Sequence, residues 1–148
     1  MTLVQKLNDD LKAAMKSGNA ERVAVLRFMS SGIYNVQKDK YVKQPGVALT
    51  DDEVVAVLQK EAKRRKEAIE LFRQGKRDDL VKKEEAELAV VYEYIPRELS
   101  AEEIEKMVDE LTGKGFNDFN SLMREAMKLT KGRADGKTVG DIVKKKIG

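Results

Sequence analysis

The sequence predicts an all-α protein, with an N-terminal domain of four helices over residues 1–96 and a small three-helix tail domain over residues 97–148. Three observations carry this. Apolar residues recur every three or four positions through most of the chain, the period of a helix with one buried stripe, and no convincing two-residue alternation competes with it. Thr50-Asp51-Asp52-Glu53 and Ser100-Ala101-Glu102-Glu103 are capping boxes, in which hydroxyl and carboxylate satisfy amides at the two ends of a first helical turn. Between them, Ile95-Pro96-Arg97 stops a helix and a fresh cap follows, so Pro96 marks the domain boundary.

In chain order, Leu3, Leu7, Leu11, Ala14 and Met15 form the stripe of a first helix that Gly18 and Asn19 end, both residues that tolerate the left-handed conformation. A second helix over about 20–41 places Val25, Met29, Ile33 and Val36 on one face, with Val23 and Leu26 beside them. Pro45-Gly46 marks a loop over 40–49. The helix opened at Thr50 carries Val54, Leu58, Ala62, Ile69 and Phe72 on its apolar side and ends at Gly75. Position 65 falls on that stripe and is Arg, which must snorkel or meet a carboxylate of another helix, with Glu84 and Glu87 within the next segment. The fourth helix begins near Asp78 and runs through Leu80, Val81, Leu88, Val91, Tyr92 and Ile95 to the proline.

In the tail, Ile104, Met107, Val108 and Leu111 follow the Ser100 cap, and Gly113 and Gly115 bracket a turn. Phe116 and Phe119 are expected to anchor the next segment. Asn117 or Asp118 caps a helix holding Leu122, Met123, Ala126 and Met127. Asp135 caps the last helix, with Gly136 and Lys137 in its first turn and Val139, Ile142, Val143 and Ile147 inside.

Composition excludes several classes of chemistry. The 148 residues contain no Cys and no His, so there is no disulfide, no thiol nucleophile, no thiolate metal site and no imidazole base or ligand. Aromatic residues make up 5% of the chain, too few for a platform that stacks single-stranded bases. Lys6, Asp9, Asp10 and Lys12 interrupt the N-terminus, so neither a signal peptide nor a membrane span is expected, and the cytoplasm is the expected location.

Charge is distributed unevenly. Residues 123–148 hold eight cations against three anions, a surplus of five in a chain whose net charge is +3. Arg124, Lys128, Lys131, Arg133, Lys137, Lys144 and Lys145 are the candidate polyanion-binding residues of this surface. The competing reading is a solvated helix end, since lysines near a helix C-terminus suit its dipole. The segment 131–137, KGRADGK, lacks the spacing of a phosphate-binding loop and follows a helix instead of a strand. It reads better as an anion-friendly turn whose amides open a helix. A second basic ridge, Lys60, Lys63 and Arg64, lies in the third helix, where Glu61 to Arg65 and Lys63 to Glu67 have i,i+4 spacing and offer a structural explanation. Asp9-Asp10, Asp51-Asp52, Asp78-Asp79 and Glu84-Glu85 are adjacent acids that point to different faces or sit in first turns, so no catalytic carboxylate pair, catalytic residue or metal site is expected.

Taken together, these residues resemble the YqeY-like group of small bacterial proteins. The resemblance runs nearly end to end: Val25-Leu26-Arg27 with Asn35, the segment KEAKRRKEAIE at 60–70 with Phe72 and Gly75, Arg77-Asp78-Asp79-Leu80, Lys83-Glu84, Glu87-Leu88, Tyr94-Ile95-Pro96 and, most diagnostically, KGRADGK at 131–137. The resemblance implies that the tail domain is similar to the C-terminal tail of the B subunit of the tRNA-dependent aspartyl/glutamyl amidotransferase, where that tail contacts tRNA and the chemistry lies elsewhere. Positions 120, 124 and 128 depart from the pattern, being Asn, Arg and Lys where the family more often has Gly, Gly and Pro. That change is expected to remove a close approach which glycine would permit in this helix, and it adds charge one turn apart.

The expected function is a noncatalytic RNA-binding module, with tRNA as partner and phosphate neutralisation plus shape recognition as its physics. The alternatives are an accessory component of carbon–nitrogen ligase chemistry with glutamine as amido donor, acting with an amidotransferase, and a protein-interaction adaptor. No cofactor is expected.

Overall fold

The computed structural model describes residues 1–131 and 133–148, so Gly132 of the KGRADGK segment lies outside the described residues. The described residues form seven helices and no strand: α1 (Leu3–Ser17), α2 (Ala20–Lys40), α3 (Asp51–Gln74), α4 (Asp78–Tyr92), α5 (Ala101–Gly113), α6 (Phe119–Thr130) and α7 (Gly136–Ile147). They fall into two compact units, Met1–Ile95 and Pro96–Gly148.

In the first unit, α3 and α4 make the most extensive helix pair, and α2 packs on both while α1 packs on α2 and α3. Leu7, Leu26, Met29, Val54, Leu58 and Val91 lie at the centre of the core with essentially no exposed surface. Both ends of α1 are sealed: Thr2 and Gln5 form a capping box, and Gly18, at φ 72°, takes the left-handed closing position. Thr2-Leu3-Val4-Gln5 has the same spacing as the boxes at Thr50 and Ser100, with Gln in place of Glu. The stripe of α1 is narrower than its apolar pattern suggests, because Leu7 and Ala14 are two turns apart on one line and Met15 lies about 100° around from it. Met15 is accordingly 52% exposed, and Val36, one turn beyond Ile33 on α2, is 40% exposed.

α4 stops at Tyr92, three residues short of Ile95. Glu93 caps it, and Tyr94 and Ile95 leave the helical path yet remain buried. Two contacts hold this exit. Arg22 of α2 donates to both oxygens of Glu93, at 2.8 and 3.2 Å, and the Tyr94 hydroxyl donates to Asp10 of α1. At the α3–α4 turn, Gly75 has φ −80°, and the left-handed residue is its neighbour Lys76, at φ 57°.

In the second unit, α5, α6 and α7 each pack against the other two around Ile104, Val108, Leu111, Leu122, Ala126, Val139, Ile142 and Val143. Ser100 forms a capping box with Glu103, Asp118 caps α6 through Ser121 N–H at 3.0 Å, and Asp135 Oδ1 caps α7 through Thr138 N–H at 2.7 Å. Phe116 packs on the core, whereas Phe119 (39%) and Ile147 (42%) stand partly exposed at helix ends, beyond the reach of the facing helices. α6 and α7 meet through Met123 and Met127: a β-carbon at Gly136 would stand 3.8 Å from Met127 Cε and one at Gly140 3.6 Å from Met123 Cε, ordinary packing distances that a small side chain would also satisfy. Asn120, Arg124 and Lys128 all face solvent, so the departures from the family pattern fall on the outer side of α6 and not on this packed one.

Candidate nucleic-acid interface

The cations of the second unit divide by what holds them. α6 buries Leu122, Ala126 and Thr130, which leaves Arg124 and Lys128, one turn apart, on its outer face. α7 buries Val139 and Val143, which leaves Lys137 and Lys144, seven residues apart, on its own outer face. Arg124, Lys137, Lys144 and Lys145 are exposed and form no ion pair among the described residues, whereas Lys128 meets Glu125 at 3.3 Å. Lys131, also exposed, continues the α6 row into the turn.

Lys137 is the cation least explained by folding. It sits in the first turn of α7, at the positive end of the helix dipole, where a cation is destabilising. Lys144 and Lys145 lie in the last turn and suit the dipole. Lys146 has a structural partner, Asp109 of α5 at 2.9 Å, and that hydrogen bond raises its pKa. Asp141 stands between Lys137 and Lys144 on the same face, so the α7 row is interrupted.

Arg133 differs from its neighbours in the turn. Its Nε donates to the Arg97 carbonyl at 3.1 Å, and its own carbonyl accepts from Leu99 N–H at 2.8 Å. These bonds tie the extended segment before α5 to the turn before α7. Arg97 in turn meets Glu103 at 2.7 Å, and that contact, first, with the Ser100 amide second, holds the Glu103 carboxyl below its usual range. Arg133 thus belongs to the fold of this unit as well as to its charge. α5 contributes the opposite sign: Glu102, Glu103, Glu105, Asp109 and Glu110 against Lys106 alone. The three-helix unit is therefore polarised, with eight of its eleven cations on α6, α7 and the turn between them.

Lys60, Lys63 and Arg64, the other basic ridge, belong to the first unit and are exposed on α3. Arg64 meets Glu61 at 3.1 Å. Arg65 turns inward. Its Nη1 donates to Glu84 at 3.1 Å and to Glu87, both on α4, and its Nε lies 3.0 Å from Glu61 Oε1 in an orientation too bent for a hydrogen bond. The guanidinium carbon also stands 5.4 Å from the ring centroid of Phe28 on α2. These groups line a cavity of about 450 Å³ between α2, α3 and α4. The position of Arg65 on an apolar stripe signals its burial; nothing in the local sequence signals Phe28 or the cavity.

No group of three or more carboxylates among the described residues has metal-binding geometry, and none of the described helices is long and apolar enough to cross a membrane.

The chain matches the family model described as "Yqey-like protein" over residues 4–147. It is 32% identical over 152 residues to "Altered inheritance of mitochondria protein 41, mitochondrial" of Pyrenophora tritici-repentis, a match covering 99% of this chain and 81% of that protein. It is 35% identical over 88 residues to "Uncharacterized protein C22F3.15" of Schizosaccharomyces pombe, covering 59% of this chain and 67% of that one. A protein of Lachancea thermotolerans, also named for altered inheritance of mitochondria, is 33% identical over 92 residues, covering 62% of this chain and 47% of its own length.

Proposed function

The chain belongs to the Yqey-like family, and on that premise we propose that it is a noncatalytic accessory protein whose second unit binds structured RNA, with tRNA as the RNA of the family resemblance. The observation that carries this reading is the division of charge in that unit. Arg124, Lys137, Lys144 and Lys145 stand exposed on the outer faces of α6 and α7 without ion-pair partners among the described residues, while α5 carries five acids against one lysine. Lys137 is placed where the helix dipole disfavours it, so folding alone does not account for it. A phosphate backbone would neutralise such a surface and release counterions, and a folded RNA offers phosphates to two helix faces at once. The low aromatic content directs recognition toward backbone and shape, away from stacked bases.

Electrophoretic titration against tRNA at two salt concentrations tests the reading. Binding that weakens with salt, and is tighter than that of an equally basic unrelated helical protein, supports it. Salt-independent binding, or affinity no greater than the comparator's, defeats it.

A protein-partner reading is favoured by a different observation, the exposure of Phe119, Leu129 and Ile147 on the same unit. On that reading the chain is an adaptor, or an accessory to glutamine-dependent carbon–nitrogen ligase chemistry performed by other subunits. A mischarged-tRNA transamidation assay with an amidotransferase, run with and without this protein, decides the ligase form; an unchanged rate removes it.

A further inference from the structure

The contacts that join α6 to α7 fix the register of the two helices. Met127 lies against Gly136 and Met123 against Gly140, so the helices run antiparallel and a seam follows the two methionines on one side and the two glycines on the other. Gly136 is exposed, and Met123, Met127 and Gly140 are half-buried, so the outer edge of this seam reaches solvent. No side chain rises from α7 at either glycine, which leaves thioethers and bare helix backbone as its floor.

The register places each cation relative to that floor, because a helix turns about 100° per residue. On α7, Lys144 stands about 60° and Lys137 about 80° to the solvent side of the line through Gly136 and Gly140, whereas Lys145 stands about 160° round. On α6, Arg124 stands about 80° to the solvent side of the line through Met123 and Met127. A rise of about 1.5 Å per residue separates Lys137 from Lys144 by about 10.5 Å along α7, and the antiparallel register sets Arg124 between them on the opposite bank. Three exposed cations without ion pairs among the described residues therefore alternate across one seam. The carboxylates of the two helices stay off it. Asp141 lies about 120° round from the glycine line, and Glu125 lies about 180° round from the methionine line, where it meets Lys128.

Packed helix axes lie about 8–10 Å apart, so long cationic side chains on the two banks converge on one strand and not on two. Phosphate contacts of this kind position a nucleic acid without reading its bases. Resting on the RNA reading above, we infer that the α6–α7 seam is the track for a single ribose–phosphate strand of a folded RNA, with Lys137 and Lys144 as one bank and Arg124 as the other. Lys145, equally exposed and without an ion pair among the described residues, stands outside the track.

Charge-matched variants test this with unfractionated tRNA. Arg124→Gln with Lys144→Gln removes two charges from the seam. Lys106→Gln with Lys145→Gln removes two exposed charges of the same unit from outside it, neither of them in an ion pair among the described residues. At about 0.15 M salt the seam pair is expected to lower affinity roughly 15- to 30-fold, the equivalent of about 0.7–0.9 in the salt slope for each of two contacts, and the outside pair by less than about threefold. A second readout is the set of ¹³C-methyl methionine signals of the full chain. Met123 and Met127 are expected to shift on addition of tRNA, while Met29, 2% exposed in the core of the first unit, stays in place. Equal losses from the two pairs, a larger loss from the outside pair, or binding that leaves the Met123 and Met127 methyls unmoved overturns the track, while the RNA reading stands on the wild-type affinity. A wild-type chain that binds tRNA no better than an equally basic unrelated helical protein removes that reading, and the track with it.

Discussion

Arg133 donates from Nε to the carbonyl of Arg97, thirty-six positions earlier, at 3.1 Å. The most diagnostic basic segment of the sequence thereby also supplies a strut of the second unit. By sequence, Arg133 and Lys137 are equivalent members of the candidate polyanion-binding set, and the geometry separates them. Arg133→Ala is expected to lower stability by roughly 1 kcal/mol, the net worth of a partly exposed hydrogen bond, whereas Lys137→Gln changes it by less than about 0.5 kcal/mol. Urea melts of the two variants check this, and equal midpoints would refute the distinction.

The clean electrostatic probe is therefore Lys137 with Lys144. Replacing both with Gln is expected to leave the melt near wild type and to reduce the slope of log affinity against log salt. The reduction should be about 0.7–0.9 for each phosphate no longer neutralised, up to about 1.8 for the pair. Lys82 and Lys83 of the first unit, exposed and without ion pairs among the described residues, are the matching control. Lys40 is a poor control because it is paired with Glu53. Indistinguishable slopes for the two double variants would leave the α7 row as a solvated face and move the protein-partner reading ahead.

Asp135→Ala is expected to cost about 0.5–2 kcal/mol through loss of the α7 cap. Because α7 supplies Val139, Ile142 and Val143 to a small core, the loss should appear as a lower melting temperature of the second unit. An Asp135→Asn variant, which can still accept from the Thr138 amide, should recover most of it. A melt unchanged by the alanine would refute the role of the cap.

Lys76 offers a gain. It holds φ 57° in the α3–α4 turn, a conformation that costs a residue with a β-carbon roughly 1–2 kcal/mol. Lys76→Gly removes that cost and gives back roughly 0.5–1 kcal/mol through the greater freedom of the unfolded chain. A net stabilisation of about 0.5–1 kcal/mol in chemical denaturation is expected, and a lower midpoint would count against it.

Acid should destabilise the start of α3. The Lys40 ammonium, first, and the Thr50 amide, next, hold the Glu53 carboxyl down at about 2. A pKa depressed in the folded state contributes stability that is full above the unfolded carboxylate value and is lost as pH falls toward the folded one. The dependence should therefore lie between about pH 5 and pH 2. Glu53→Gln is expected to flatten that limb of stability against pH while leaving the neutral-to-alkaline range parallel to wild type. An unchanged acid limb would show that the carboxylate is not its source.

The sequence by itself determined the all-α class, the order of the helices and most of their caps, because these depend on local physics: the apolar period and the spacing of hydroxyls and carboxylates. Asp135 could be read as a cap from its neighbours alone. It also determined where positive charge accumulates, since composition along 123–148 needs no coordinates. Only the tertiary structure decided which of those charges are spoken for. Lys146 and Lys144 are alike in the sequence, but Asp109 of α5 reaches only the former. Arg133 and Lys137 are alike in the motif, but the segment before α5 crosses only Arg133. The same holds for Arg65: its burial and its carboxylate partners are legible in the third-helix stripe and the segment after it, while the Phe28 ring against its guanidinium comes from α2, brought alongside by helix packing. Partners separated by tens of residues are chosen by how helices pack, and no local spacing encodes that choice.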